Sequence, residues 1–201
     1  MTAAQAPFDA LFRTNSDPWG FRTRWYERRK RALTLACLPR PRYASGYEPG
    51  CANGELAAAL AERCDRLLCS DFVPEAVALA RQRLACHPHA QAIEATTPQQ
   101  WPPSSFDLVV VSELGYYLDT DALSILARHI RSALRADGTV LACHWRHAIA
   151  GHPLDGDAVH RQLHRDLGLA LHTSVVETDL RIEVWTTDAV SVAARETPAG
   201  A

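Results

Sequence analysis

The sequence has no excess of charge of one sign and no long hydrophobic run. Its formal net charge is -2 over 201 residues, so it does not indicate a basic surface for nucleic acid or an anionic membrane. No segment approaches the roughly 20 apolar residues of a membrane span, and no N-terminal apolar run suggests a signal peptide. We therefore expect neither nucleic acid nor a membrane among the partners.

Closely spaced metal or redox ligands are also missing. The six cysteines contain no C-x-x-C pair, which argues against a structural zinc site or a thioredoxin-type motif. His160 and His164 have the i, i+4 spacing that can bind one metal ion on a helix, but the sequence offers no H-E-x-x-H glutamate and no evident third ligand. We expect no metal site, and we expect a cytoplasmic protein with reduced thiols.

Strands and helices alternate along most of the chain, whose composition is that of a globular protein. The predicted strands are 43–48, 66–70, 91–95, 106–112, 139–144, 169–177 and 180–187. The predicted helices are 25–38, 55–63, 74–84, 122–135 and 156–167. Alternation predicts a parallel sheet, while the short Thr178-Asp179 turn makes the last strand antiparallel. Residues 1–18 are polar and mixed, and we expect a loose tail from Ala193.

The first motif is a glycine-containing loop between a predicted strand and a predicted helix, Glu48-Pro49-Gly50-Cys51-Ala52-Asn53-Gly54. Glycines there can adopt positive φ and bring the backbone against a ligand, and the helix that follows presents free N–H groups. A dinucleotide site would need G-x-G-x-x-G for its pyrophosphate. This loop has G-x-x-x-G led by Glu48, which would repel a pyrophosphate and suits a cationic ligand without phosphate.

The second motif is Ser70-Asp71-Phe72 at the end of the next predicted strand. Asp71 follows the glycine loop by about 20 residues, the spacing at which an acidic residue typically accepts hydrogen bonds from ribose hydroxyls. Phe72 is then placed to pack against an adenine. A cap for the helix that begins at Pro74 is the alternative for Asp71, and the glycine loop at this spacing favours the ribose.

The pattern E-x-G-C-x-x-G resembles motif I of class I S-adenosylmethionine (SAM)-dependent methyltransferases. The resemblance implies a Rossmann-like seven-stranded sheet with an antiparallel last strand and helices on both faces. It places the Glu48–Gly54 loop, with Glu48, Gly50, Cys51, Ala52 and Gly54, under the methionine part of SAM. Where the family usually has an Asp for the adenine amino group, this chain has Thr97, whose hydroxyl can also accept a hydrogen bond, followed by Pro98 without an N–H.

The predicted strand at 106–112 leads into a candidate acceptor site. Ser112 is expected to contact the cofactor, and Glu113 is expected to bind a cationic amine or accept its proton. Tyr116 and Tyr117 would shape the substrate pocket, although ordinary packing is an equal alternative for both. His144 ends the fifth strand near the same edge and is a second candidate base.

A closer resemblance, over roughly residues 15–145, is to the NodS family of nodulation methyltransferases. It rests on four segments: Ser16-Asp17-Pro18-Trp19, Tyr26-Glu27-Arg28, the loop 48–54, and 106–113 with Tyr116-Tyr117-Leu118. It implies a single domain over 1–201, with a cap or lid at 1–40 and a catalytic core at 41–192. Trp19 and Arg28 would belong to the lid, and Arg28 would pair with the SAM carboxylate. A basic solvated helix is the alternative for Arg28.

The NodS resemblance implies SAM-dependent N-methylation of an amine on a small molecule or amino sugar. An O-methyltransferase acting on a small acid or hydroxyl stays open, as does a SAM-binding protein without catalysis. A nicotinamide oxidoreductase is disfavoured by the missing G-x-G-x-x-G and by Glu48. Trp25 and Arg29-Lys30-Arg31 differ from what the family leads us to expect, which leaves the acceptor undetermined.

Overall fold

Seven strands form one sheet within residues 6–196, the part of the chain that this computed structural model describes. The strands are β1 (Gly46–Pro49), β2 (Leu67–Asp71), β3 (Ala90–Glu94), β4 (Phe106–Ser112), β5 (Leu134–Trp145), β6 (Ala170–Val176) and β7 (Leu180–Thr186). Their spatial order is β3-β2-β1-β4-β5-β7-β6. Strands β1 to β5 pair in parallel, and β7 runs antiparallel to β5 and β6. The predicted sheet, with its antiparallel last strand, is confirmed.

The described helices are α1 (Ala6–Thr14), α2 (Trp25–Ala36), α3 (Glu55–Ala61), α4 (Pro74–Arg83), α5 (Thr120–Ala133), α6 (Gly156–Leu167) and α7 (Val192–Glu196), with a short 3-10 helix at Gly115–Tyr117. The sequence analysis missed α1 and the 3-10 helix. It predicted loose chain from Ala193 onward, but residues 193–196 belong to α7, and the rest of that stretch lies outside the described residues. A helix as short as α1 is marginal alone, and Phe8 and Phe12 stabilise it by packing near Val73. None of these helices is long and apolar enough to cross a membrane.

Strand β4 shows why helices cover both faces of the sheet. Leu108 and Val110 belong to a buried cluster with residues of α3 and α4. Val109 and Val111, which point the opposite way, belong to a second cluster with residues of α5 and α6. Both faces of the strand are therefore buried, which is why it reads as a continuous apolar run in the sequence.

Candidate active site

A cavity of about 720 Å³ opens where the parallel strands end. Its walls come from the segments after β1 to β5 and from the N-terminal helices α1 and α2. Open parallel sheets bind ligands at this edge. The residues predicted from the sequence that line it are Trp19, Glu48, Gly50, Cys51, Ala52, Asp71, Phe72, Thr97, Ser112, Glu113, Tyr116 and Tyr117. Gly54, Arg28 and His144 are not among the lining residues.

The two glycines of the first motif have different tasks. Gly50 (φ +74°) and Gly54 (φ +80°) both adopt the left-handed conformation, which glycine reaches without strain. Gly50 lines the cavity, so its backbone is open to a ligand. A Cβ on Gly54 would lie 2.8 Å from Cα of Ala80. Gly54 therefore permits the close approach of α3 and α4 rather than contact with a ligand.

The carboxyl group of Glu48 is buried and faces the cavity, and among the described residues no positively charged side chain pairs with it. It is 3% exposed, and its Oε2 has no hydrogen-bond partner among the described residues. Burial, and then the charge of Asp71, raises the pKa of Glu48 to about 8. Because buried polar groups are almost always paired, an unpaired carboxyl in a cavity indicates a ligand that brings a donor or a positive charge.

Asp71 holds the ends of two loops together at the cavity wall. Its Oδ2 accepts a hydrogen bond from the Ala52 N–H at 2.9 Å, and its Oδ1 accepts one from the Val73 N–H at 3.0 Å. Burial raises the pKa of Asp71, and these backbone hydrogen bonds oppose that shift. A carboxylate has lone pairs for about four hydrogen bonds, so both oxygens can still accept from hydroxyls of a bound ligand.

The helical repeat determines which residues of α2 line the cavity. Tyr26, Glu27, Lys30, Arg31 and Thr34 face the cavity at spacings of one, four, five and eight residues. Arg28 lies off this face, with its guanidinium 5.8 Å from the centroid of the Trp25 ring. The structure therefore does not bring the predicted carboxylate partner into the cavity. Arg31 lines it instead, and the helical spacing from Tyr26 and Glu27 is the signal that would have identified it.

A buried ion cluster joins α2 to the end of β4. The Lys30 Nζ lies 2.8 Å from Oε2 of Glu27 and 2.9 Å from Oε1 of Glu113. Burial opposes the charged form, but the charges of Glu113 and Glu27 outweigh it and raise the pKa of Lys30. The other oxygen of Glu113 accepts from the Tyr116 hydroxyl and from the Trp145 N–H at 3.3 Å. The cluster has two carboxylates for one ammonium, so it carries a net negative charge.

The backbone of Glu113 is itself unusual. Glu113 has φ +54°, a left-handed conformation that costs a non-glycine residue of order 1–3 kcal/mol. Such strain persists only where surrounding contacts fix it, and the donors around the Glu113 carboxylate do so on both oxygens. The turn after β4 is therefore held in one conformation at the cavity wall.

His144 belongs to a hydrogen-bond chain in the core. It is fully buried, and its Nε2 accepts from the Gly115 N–H at 3.0 Å. Its Nδ1 therefore carries the proton and donates to Nε2 of His160 at 3.2 Å, and Nδ1 of His160 lies 2.9 Å from Oε2 of Glu183. Burial, and then the charges of His160 and Lys30, holds the pKa of His144 well below its usual range. The chain fixes the position of the 3-10 helix that carries Tyr116 and Tyr117.

His144→Leu is expected to destabilise the protein by at least about 2 kcal/mol, because it leaves the Gly115 N–H and the His160 ring nitrogen buried without partners. Urea denaturation at pH 7.5 measures the loss. His172→Leu is the control, since within residues 6–196 the His172 ring bonds only its neighbour Thr173, and its cost should stay within about 0.5 kcal/mol. Equal stability of the two variants would contradict this interpretation of His144.

The two histidines considered as metal ligands are engaged with protein partners. His160 bonds Glu183, and Nδ1 of His164 accepts from the Trp185 indole N–H at 3.0 Å. Among the described residues 6–196, no group of three or more His, Cys, Asp or Glu side chains is arranged to hold a metal ion.

The segment between β5 and α6 contributes cavity residues that sequence reasoning missed. Ile149 and His152 line the cavity, and the His152 ring packs edge-on against Tyr117 with 4.8 Å between ring centroids. No motif marks this segment. The position of β5 in a parallel sheet is the one signal, because the residues after such a strand emerge at the ligand-binding edge.

Comparison with known proteins places the chain in a family. The family model Nodulation protein S (NodS) matches residues 9–169. The chain is 36% identical over 103 residues to Nodulation protein S of Rhizobium tropici, covering 51% of this chain and 43% of that protein. It is 34% identical over 124 residues to the protein of that name from Sinorhizobium fredii NGR234, covering 61% and 57%. The matches thus span about half the length of these curated relatives.

Solved structures share the fold. A Pseudomonas syringae protein described provisionally as a methyltransferase is 53% identical, with a TM-score of 0.74 and coverage of 81% of this chain and 99% of that one. The N-methyltransferase NodS of Bradyrhizobium japonicum WM9, solved with S-adenosyl-L-homocysteine (SAH), gives a TM-score of 0.83 at 24% identity, covering 92% and 98%. The architecture is therefore that of class I methyltransferases. On the family match across residues 9–169, the chain belongs to the NodS family.

Proposed function

We propose that the chain is a SAM-dependent methyltransferase that N-methylates an amine of a small molecule. The observation that carries the proposal is the buried, unpartnered carboxyl of Glu48 beside Gly50 and Asp71 in the cavity wall. A ligand with a positive charge and a ribose, but no phosphate, fits this set of groups. Family membership and the N-methyltransferase described from Bradyrhizobium japonicum support the same activity. The cytoplasmic location stays a prediction of the sequence.

The lining residues fit SAM part by part. Glu48 and the open backbone of Gly50 would take the methionine ammonium, and Arg31 would pair with the carboxylate. Asp71 would accept from the ribose hydroxyls, while Phe72 and Thr97 would border the adenine. Bound SAM supplies a methyl group on a sulfonium. The sulfur leaves as a neutral thioether, so it needs no acid to activate it. The protein's own contribution is then mainly positioning and the exclusion of water.

The acceptor end of the cavity favours an amine. The cluster of Glu27, Lys30 and Glu113 carries a net negative charge, which attracts a cationic group and repels a carboxylate acceptor. His144 has both ring nitrogens engaged and lies outside the lining, so it acts as a positioning residue for the Gly115–Tyr117 helix. Among amine acceptors, the family resemblance suggests an amino sugar as the more specific candidate.

Labelled-methyl transfer tests the proposed activity. The protein is incubated with methyl-labelled SAM and a panel of amines, amino sugars, hydroxyl compounds and small acids. Label is expected in at least one amine and in none of the acids. Transfer to hydroxyls or acids alone would contradict N-methylation, and no transfer at all would contradict the activity.

Cofactor binding is expected to release a proton near neutral pH. The Glu48 carboxyl, with a pKa of about 8, is mostly protonated at pH 7, and a cationic ligand favours its ionised form. The affinity for SAM should therefore rise from pH 6 to pH 8, by up to about tenfold per pH unit, and level off above. Calorimetry at pH 7 in two buffers of different ionisation enthalpy measures the proton released.

Glu48→Gln is the variant that isolates this proton, and Glu62→Gln is its control because Glu62 is exposed. The Glu48 variant should release nearly one proton fewer than the wild type, and the Glu62 variant should match the wild type. If all three proteins release the same number, Glu48 does not face the positive charge of the ligand.

A further inference from the structure

Tyr26 carries a buried hydroxyl group that has no partner in the described part of the chain. Its side chain lines the cavity, and its hydroxyl oxygen is buried and forms no hydrogen bond within residues 6–196. Unpaired buried polar groups are rare in folded proteins and call for an explanation. Glu48 and Asn53 also have such oxygens in the cavity wall, but both belong to the glycine loop at the cofactor end. The Tyr26 hydroxyl therefore indicates a polar ligand atom at a different place.

Tyr26 lies at the acceptor end of the cavity, beside the buried ion cluster. The Lys30 Nζ lies 5.4 Å from the centroid of the Tyr26 ring and 2.9 Å from Oε1 of Glu113. The Tyr26 ring also packs edge-on against Trp145 at the end of β5, with 5.4 Å between ring centroids. The phenol and the Glu113 carboxylate therefore flank the same ammonium group, and Trp145 holds the phenol in place. An acceptor attracted to the cluster meets the Tyr26 hydroxyl as well.

The hydroxyl of Tyr26 stays neutral, and this determines what it binds. Burial raises the pKa of Tyr26 well above its usual range, and the charge of Lys30 opposes that shift only in part. A neutral phenol both donates and accepts a hydrogen bond, whereas an ammonium group only donates. An ammonium group alone would leave the O–H hydrogen of Tyr26 without an acceptor. A hydroxyl group of the ligand has a hydrogen and lone pairs, so it satisfies Tyr26 in both directions.

Tyr117 and His152 offer further polar atoms at this end of the cavity. Both residues line it, and their rings pack edge-on with 4.8 Å between centroids. Within residues 6–196 neither the Tyr117 hydroxyl nor a ring nitrogen of His152 is a buried atom without a partner, in contrast to the Tyr26 hydroxyl. Tyr117 and His152 can bind other polar groups of an acceptor, but the unbound protein does not require them to do so. Tyr26 is the residue whose hydroxyl needs the ligand.

We propose that Tyr26 is a specificity-determining residue, whose hydroxyl binds a hydroxyl group on the carbon next to the one that carries the accepting amine. This inference rests on the proposed methyltransferase function. The amine lies toward Glu113 and the neighbouring hydroxyl lies against Tyr26, so a 1,2-amino alcohol is held in one orientation. A simple amine leaves the Tyr26 hydroxyl buried and unpaired. A site built to bind a substrate hydroxyl rejects analogues that lack it for this reason.

Binding to the SAH-saturated protein tests this preference without turnover. The probes are trans-2-aminocyclohexanol and cyclohexylamine, which share an amine on a six-membered ring and differ in the neighbouring hydroxyl group. We expect the wild type to bind the amino alcohol at least about tenfold more tightly in calorimetry at pH 7.5. Equal binding of the two probes, or no binding of the amino alcohol, would overturn the proposal. Failure of the wild type to bind SAH would instead sink the proposed function itself.

Tyr26→Phe removes the hydroxyl and keeps the ring. Its affinity for the amino alcohol should fall by about tenfold and its affinity for cyclohexylamine should not fall, so the two probes should bind within about threefold of each other. Tyr43→Phe is the matched control, because Tyr43 is a buried phenol that does not line the cavity, and it should keep the wild-type preference. An undiminished preference in Tyr26→Phe would overturn the proposal, because another group would then bind the hydroxyl.

Unfolding without ligands separates this role from a structural one. Removing a buried hydroxyl that has no partner in the protein also removes the cost of burying it, so the urea midpoint of Tyr26→Phe should equal or exceed that of the wild type. Denaturation at pH 7.5 gives the midpoints of both proteins. A lower midpoint for Tyr26→Phe would show that the hydroxyl stabilises the protein itself, and the proposal would be wrong.

Discussion

Asp71→Ala is expected to weaken SAH binding by roughly 100-fold or more. The substitution removes the charge-assisted hydrogen bonds that we propose Asp71 makes to the ribose, each of about 1.5–3 kcal/mol, and a factor of ten in affinity corresponds to about 1.4 kcal/mol. It also frees the Ala52 and Val73 N–H groups that Asp71 now fixes at the cavity wall. Calorimetric titration of SAH into the folded variant measures the loss.

Glu94→Ala is the matched control for Asp71. Glu94 is the register partner of Asp71 on the neighbouring strand β3, but its side chain is exposed and does not line the cavity. SAH affinity should stay within about twofold of the wild type. Circular dichroism confirms that both variants are folded. An Asp71→Ala protein that binds SAH as tightly as Glu94→Ala would show that the ribose lies elsewhere.

Lys30→Met is expected to lower the free energy of unfolding by about 3–5 kcal/mol. The variant leaves the buried carboxylate of Glu27 and the partly buried carboxylate of Glu113 without their shared cation, and an uncompensated buried charge costs about this much. Urea denaturation at neutral pH measures the change. Adding Glu27→Gln to Lys30→Met should recover part of the loss, because one of the two unpaired charges is removed.

Arg29→Met is the control for the ion cluster. The neighbouring Arg29 pairs with Glu177 at 2.6 Å, but their side chains are 40% and 34% exposed. Exposed pairs contribute about 0–1 kcal/mol, so this variant should stay within that range of the wild type. If Lys30→Met is no less stable than Arg29→Met, the cluster does not hold the cavity wall as described.

Features with a local physical cause were predictable from the sequence. The two-sided burial of β4 produces its continuous apolar run, and the turn after β1 needs Gly50 at positive φ. The ribose candidate Asp71 follows from chain spacing alone. These signals predicted the strands along the chain, and they predicted residues for the cofactor site before any tertiary contact was known.

Features set by tertiary contact were not predictable in this way. Helix α1 is stabilised by packing near Val73 rather than by its own sequence. The choice between Arg28 and Arg31 depends on which side of α2 meets the sheet, since each residue turns a helix by about 100°. His152 carries no motif, and its place follows from the path of the chain after β5. Both oxygens of the Glu113 carboxylate accept hydrogen bonds, and only the structure reveals their donors.

Binding of SAH, compared with NAD under identical conditions, tests the central claim most directly. The claim is that the cavity lined by Glu48 accepts a nucleoside that bears a positive charge and no phosphate. Isothermal titration at pH 8 should give a micromolar dissociation constant for SAH and no heat of binding for NAD up to about 1 mM. Saturable binding of NAD together with no uptake of SAH at the same concentration would contradict it.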